Sequence, residues 1–292
     1  VSPARLGTVV EGLPPIDLDE LVARASLQTR VDRKYVLPVD AVAALLSRLP
    51  SGTRVLEIEG DRDFAYRSLY FDTPELTGYL MAARRRRRRF KIRTRVYEQS
   101  GECLLEVKVR GNRGSTVKER LPHDPRDRET LESGRHFVDA VLAENRIVGI
   151  RRFTLVPTLT TRYRRTTLHL PDTGSRVTID TDLTWEDGDH RLQLPGTVVV
   201  ETKTGSTASH ADRLLWHDGH RPVRISKYAT GLAALRPHLP DGPWRRTLRR
   251  YFPPEAVRLS TIAGARAADV PDGGARAVRP PERGRFDSVM SH

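Results

Sequence analysis

Four things are scarce in this sequence. Cys103 is the single cysteine among 292 residues, which excludes an intramolecular disulfide framework. Its setting, Cys-Leu-Leu-Glu-Val, predicts a buried strand residue in a reducing, cytoplasmic compartment rather than a nucleophile. Aromatic residues make up 6% of the chain, and neither zinc-ligand spacing nor an aromatic RNA-binding signature occurs, so specific nucleic-acid recognition is not expected. No apolar run approaches the ~18 residues of a membrane span, and the first residues lack the layout of a signal peptide, so a soluble chain is expected. Lysine is the fourth: 50 residues are Lys or Arg, yet only Lys34, Lys91, Lys108, Lys118, Lys203 and Lys227 are lysines. In so arginine-biased a chain, each retained lysine is a candidate for a site that needs a compact point charge rather than a planar fork.

What is abundant is positive charge. The 50 basic residues against 37 acidic ones leave +13, which favours polyanionic partners: nucleic acid, anionic lipid or phosphorylated small molecules. Apolar content of 38% is low, so a packed core is expected in part of the chain only. Residues 1–26 read as a lead-in with a short helix at 18–25, residues 27–240 as the folded domain, and residues 241–292 as a Pro-, Gly- and Arg-rich tail, largely disordered. Within the domain, period-2 alternation predicts strands at 30–37, 54–58, 66–72, 89–97, 103–110, 115–121, 157–170, 175–183, 197–204 and 222–226. Helical spacing predicts helices at 39–49, 127–145, 209–216 and 228–239. Many strands with few, dispersed helices indicate an α+β fold, mainly an antiparallel sheet or β-barrel.

Sorting the strands by parity separates two faces. Arg30, Asp32 and Lys34 share one; so do Lys91, Arg93 and Arg95, then Glu106, Lys108 and Arg110, then Glu201 and Lys203. Their opposite faces carry Ile92, Thr94 and Val96, then Leu105, Val107 and Val109, then Val198, Val200 and Thr202. The charged face can meet solvent, as in an ordinary half-buried sheet. Alternatively it points inward in a barrel, where cations about 6–7 Å apart along each strand would build a lattice for phosphate. The helices around Leu45, Val141, Leu215 and Leu232 would then be outer buttresses.

Eight segments in order settle on a resemblance: Arg30-Val-Asp-Arg-Lys34-Tyr35, Ser68-Leu-Tyr70-Phe71-Asp72-Thr73, Lys91-Ile-Arg93-Thr-Arg95-Val-Tyr97, and Glu106-Val-Lys108 with Val117-Lys118-Glu119-Arg120. They continue in Pro157 through Tyr163-Arg-Arg165, Arg176-Val-Thr-Ile-Asp180, Val200-Glu201-Thr-Lys203 and Ile225-Ser226-Lys227-Tyr228. Over residues 27–239 the chain resembles the polyphosphate polymerase (VTC) domain of the triphosphate tunnel metalloenzyme superfamily, which also holds the CYTH proteins. All six lysines fall inside these segments.

The resemblance implies a basic tunnel that takes ATP and inorganic polyphosphate, with Mn²⁺ or Mg²⁺ as cofactor. Lys34, Arg93, Arg95, Lys203 and Lys227 would act on the transferring phosphoryl group. Lys91, Lys108, Lys118, Arg165, Arg176 and Arg224 would bind phosphate, with Tyr163 and Ser226 as hydroxyl donors. Glu201 matches the metal-binding glutamate. Glu106 is a second candidate, or else a wall residue paired with Lys108. Asp32 stands where a glutamate is commoner, and Arg224 where lysine often precedes Ile-Ser-Lys.

The arginine run 84–89 reads as a tunnel mouth or its approach, steering polyanions toward Lys91; the plainer reading is a solvated charge run. His210, His217 and His220 read as surface histidines. Asp180 and Asp182 share a strand face, and Asp180 would orient nearby cations. The expected activity is a metal- and ATP-dependent polyphosphate polymerase. The alternatives are a tripolyphosphatase or nucleoside triphosphatase using the same tunnel, a polyphosphate-binding module without turnover, and a nucleic-acid binder using the arginine run. A membrane partner protein and the oligomeric state are left open.

Overall fold

The computed structural model describes residues 3–25, 31–110, 116–147, 149 and 154–259. Its first half runs α1 (Pro3–Glu11), β1 (Pro15–Ile16), α2 (Leu18–Ala25), β2 (Val31–Pro38), α3 (Val39–Leu46), β3 (Arg54–Leu56), β4 (Phe64–Asp72), α4 (Thr77–Ala83), β5 (Phe90–Tyr97), β6 (Cys103–Arg110) and β7 (Thr116–Pro122). The second half runs α5 (Arg135–Glu144), β8 (Val156–Leu170), β9 (Ser175–Asp187), β10 (His190–Gln193), β11 (Thr197–Thr204), α6 (His210–His217), α7 (Lys227–Leu235), α8 (Arg245–Tyr251) and β12 (Val257–Leu259). The strands form one sheet, antiparallel except where β1 meets β3. Its main path is β2-β11-β9-β8-β4-β5-β6-β7, while β10 and β12 extend from the far half of β9.

Alternation fixes the faces. Val177, Ile179, Val198 and Val200 point outward and bury under Leu45 of α3 and Leu215 of α6. Ile92, Leu105, Val107 and Val109 bury under Val138, Val141 and Leu142 of α5. The charged residues of the same strands therefore share the other face, as a period of two demands.

That face is curled inward, but the sheet does not close. Among the described residues β2 and β7 do not pair, so the expected barrel is an incomplete one. The outer edge of β2 is partly taken by another segment: Val223 N donates to Lys34 O at 2.7 Å. This segment, 222–226, is not the strand expected there. Pro222 has no N–H to give to a ladder, and Ser226 already turns the chain into α7, its hydroxyl accepting from Ala229 N.

Three further expectations are corrected. First, α7 is not an outer buttress. Leu232 packs with Tyr66, Tyr70, Tyr163 and Trp185 on the concave side. Second, Asp180 and Asp182 do not share a face. A bulge places two residues of β9 (Asp182 and Leu183) opposite one of β8 (Tyr163), with Asp182 at φ 50°. The extra residue leaves Asp182 exposed and brings Trp185 onto the face of Asp180. Third, order extends beyond both proposed limits of the domain. Val10, Ile16 and Leu21 before residue 27, and Trp244 and Phe252 after 240, are buried. Residues 260–292 lie outside the described residues, as does Arg30. Helix 127–145 is shorter than its pattern suggested, beginning at Arg135 after a 3₁₀ turn at Pro125–Asp127.

Candidate functional site

All six lysines of the chain line one cavity of about 170 Å³ on the concave face. Lys34 reaches it from β2, Lys91 from β5, Lys108 from β6, Lys118 from β7, Lys203 from β11 and Lys227 from the start of α7. Arg93 and Arg95 of β5 and Arg165 of β8 join them, making nine cations against the carboxylates of Asp32, Glu106 and Glu201. Both ends of the open sheet thus face the same space. The cationic stripes converge on a bore rather than spreading over a solvated slab.

The bore has two anionic anchors. Glu106, only 2% exposed, lies 2.5 Å from Arg93, 2.7 Å from Lys118, 3.5 Å from Arg120 and 3.7 Å from Arg95. Burial pushes its carboxyl upward, but Arg93, Arg95 and Lys118 outweigh this and hold it well below the usual range. Asp180 takes a fork from Arg165 at 2.6 and 2.9 Å and an ion pair from Lys227. Against the cost of burial, these two cations lower it to about 2. Arg165 and Lys227 also stack over Tyr163, at 5.3 and 4.2 Å from the ring centre. Arg93 donates to the Tyr70 hydroxyl at 3.0 Å.

The remaining lysines are less well compensated. Burial, then Lys34, Lys108 and Arg93, bring Lys91 down to about 7. Burial also brings Lys203 to about 7, with Arg176 and Arg165 adding to it and Glu201 opposing, while Lys108 falls to about 8 from burial, Lys34 and Arg93. Lys34 moves the other way, because Glu201, 3.4 Å away, stabilises its charge. Buried cations that outnumber the carboxylates beside them make a strongly anion-attracting site. Hydroxyls complete the picture: Tyr66 OH, Ser68 Oγ, Thr161 Oγ1 and Tyr163 OH are buried and make no hydrogen bond among the described residues.

Two expected residues lie elsewhere. Arg224 is exposed and lines a groove outside the bore. Arg176 is buried on β9 beside Lys203 but does not line the cavity. Ser226 is in place with its hydroxyl already used, accepting from Lys91 Nζ at 2.8 Å and capping α7. Sequence reasoning missed Tyr70 and Arg120 as members of the site. Strand parity could have found both, since Tyr70 pairs with Arg93 and Arg120 with Glu106. It also missed the clamp that seats α7: Asp72 caps α4 through Gly78 N and Tyr79 N, and accepts from Tyr228 OH at 2.5 Å.

A divalent ion fits Glu201 better than Glu106. The Glu201 side chain is 15% exposed to the bore, shares it with Asp32, and pairs with a single lysine at 3.4 Å. Magnesium-like ions need one or two carboxylates, with water and phosphate oxygens for the rest. Glu106 is enclosed by four cations within 4 Å, which already supply its counter-charge, and its ion-pair partners do not include Lys108. No cluster of three or more His, Cys, Asp or Glu exists among the described residues. Of the three histidines near α6, His217 pairs with Asp218 at 3.1 Å and His210 lies 4.0 Å from Asp172.

The family model described as the VTC domain matches residues 29–236. The chain belongs to the VTC domain family. A comparison with curated proteins gives no match. Solved structures resembling this VTC domain include candidate adenylate cyclases from Vibrio parahaemolyticus and Bacillus halodurans. The first is 14% identical, covering 70% of this chain and 98% of that one, with a TM-score of 0.40. The second is 15% identical, covering 68% and 94%, with a TM-score of 0.44. A third, a candidate adenylyl cyclase from Hippeastrum described as having a dominant triphosphatase activity, is 17% identical over 70% and 95%, with a TM-score of 0.41. No helix of this VTC domain is long and apolar enough to cross a membrane, among the described residues.

Proposed function

We propose that this VTC domain is a metal- and ATP-dependent polyphosphate polymerase. The observation that carries the reading is the convergence of every lysine on one bore with too few carboxylates. In this reading the triphosphate of ATP lies in the bore. The bond between the β–γ bridging oxygen and the γ-phosphorus breaks, ADP leaves, and a terminal oxygen of the polyphosphate chain forms the new P–O bond. That oxygen is already deprotonated near neutral pH, so no general base is needed. Phosphoryl transfer asks mainly for alignment and charge stabilisation. Lys34, Lys203, Arg93, Arg95 and Lys227 would supply them around the transferring group. Lys91, Lys108, Lys118, Arg165 and the Tyr163 hydroxyl would hold the flanking phosphates, and Ser226 would hold Lys91. Glu201, with Asp32 beside it, would hold Mn²⁺ or Mg²⁺, which when bound neutralises phosphate charge.

The test is incubation of purified protein with ATP and Mn²⁺. Long polymer on a gel is expected; free phosphate alone would make the protein a hydrolase, and tight binding with neither product a binding module. Glu201→Gln and Lys203→Ala should each lower turnover by at least about 100-fold, the scale of losing one electrostatic contact to the transition state. Full activity in both variants would defeat this assignment.

A further inference from the structure

The bore adjoins one arginine-walled groove, which in turn adjoins a second. The first, of about 870 Å³, shares Lys34, Lys91 and Ser226 with the bore and adds Arg85, Arg87, Arg89, Arg110 and Arg224. The second, of about 890 Å³, shares Arg87 and Arg110 with the first and adds Arg84, Arg86, Arg88 and Arg146. Bore, first groove and second groove therefore form one continuous basic path.

Three observations distinguish this path from a solvated charge run. Apart from Arg33, which is held by Asp212 at 3.4 Å, none of the arginines lining the two grooves forms an ion pair among the described residues; Glu75 and Glu144 line the second groove yet pair with none of them. Inside the bore, by contrast, Arg93 and Arg165 are each held by a carboxylate. Next, the run is built into an ordered turn. Arg86 N donates to Met81 O at 2.8 Å and Arg85 N to Ala82 O at 3.1 Å, ending α4 with Arg85 at φ 53°. Glycine would hold that left-handed position at lower cost. Arg88 and Arg89 are then fixed by bonds to Arg146 O and Arg86 O. Finally, all six lysines line the bore, together with Arg93, Arg95 and Arg165, whereas every cation that the grooves add is an arginine, whose planar fork grips phosphate oxygens without enclosure.

We propose that the two grooves are an outer binding track for polyphosphate chains too long for the bore, so that the protein holds its polymer inside and outside at once. This deepens the polymerase reading and rests on it for the identity of the chain. A single-stranded nucleic acid would need aromatic faces for its bases. The second groove has none, and the aromatic of the first, Trp244, is 7% exposed. A polyphosphate presents only charged oxygens.

The test compares tripolyphosphate with inorganic polyphosphate of about 50 residues, by equilibrium binding to wild type and to the triple variant Arg84→Gln, Arg86→Gln, Arg146→Gln, all exposed positions in the second groove. At about 0.15 M salt the variant should lose at least tenfold in affinity for the long chain and less than about threefold for tripolyphosphate, which is short enough to stay in the bore. The slope of log affinity against log salt for the long chain should fall by about 2, from three cations at ~0.7 each. Equal losses for both lengths, or no loss for either, would overturn the track. So would single-stranded DNA of matched charge binding as tightly as polyphosphate and depending equally on the three arginines. The readout is binding, so a wild type that makes no polymer would remove the polymerase reading without touching this result.

Discussion

Glu106 and Glu201 begin the same Glu-x-Lys pattern on inward-facing strand positions, yet the fold gives them different work. Glu106 gathers four cations at 2% exposure, whereas Glu201 keeps an open side toward the bore at 15%. The difference comes from the neighbouring strand. β7 places Arg120 opposite Glu106, while β2 places only Lys34 opposite Glu201. Glu106→Gln would leave a buried cation group without its counter-charge, a change that typically costs about 3–5 kcal/mol. The urea midpoint should fall accordingly in the empty protein. Because a polyanion supplies the missing negative charge, tripolyphosphate should restore much of it. A variant as stable as wild type without ligand would show that the cage is not structural.

At the scale of elements, α7 decides how the bore ends. It carries Ser226 as its cap and Lys227 as its first residue, and it is seated by Trp185, whose Nε1 donates to Lys227 O at 2.8 Å. Gly231 makes the seat possible: a Cβ there would stand 2.1 Å from Trp185 Cδ1. Gly231→Ala should therefore lift α7 off the indole, destabilising the fold by about 1–3 kcal/mol as overpacking does. It should also weaken tripolyphosphate binding, since Lys227 and the Ser226–Lys91 contact move with the helix. Unchanged affinity would mean that α7 is a plug rather than part of the site. The β9 bulge matters for the same reason, because without its extra residue Trp185 would face outward.

For the molecule as a whole, the crowded cations of the bore repel one another. Lys91 and Lys108 bind their protons weakly, at about 7 and about 8, because they are buried among other cations. In the unfolded chain they hold protons up to the ordinary lysine value near 10.4. Between roughly pH 7 and 10 the unfolded state thus carries more protons than the native state, and stability linked to these groups rises with pH. The penalty is fully present below the native value and vanishes above the unfolded one. Lys91→Met removes its own share, so wild type should be less stable than Lys91→Met at pH 7, with the gap narrowing toward pH 9.5. A gap independent of pH would contradict the weak proton binding. Bound polyphosphate reverses the situation, and its binding at pH 8 should take up protons.

The charged stripes, most strand positions and the special status of the lysines were legible in the sequence. Period-2 alternation is a local consequence of strand geometry, and an arginine-biased composition makes each lysine informative. Local pattern could not tell whether the charged face curls inward or lies open. It could not show that the sheet stops short of closure with 222–226 on its β2 edge, that a bulge changes parity within β9, or that Arg224 faces an outer groove. Those outcomes depend on contacts between residues far apart in the chain, such as Lys34 with Val223 and Trp185 with Gly231. The sequence by itself determined which residues carry charge on which side of each strand. Only the tertiary structure decided that six strands and one helix aim those charges at a single space, because curvature is set by bulges and packed helices rather than by any one segment.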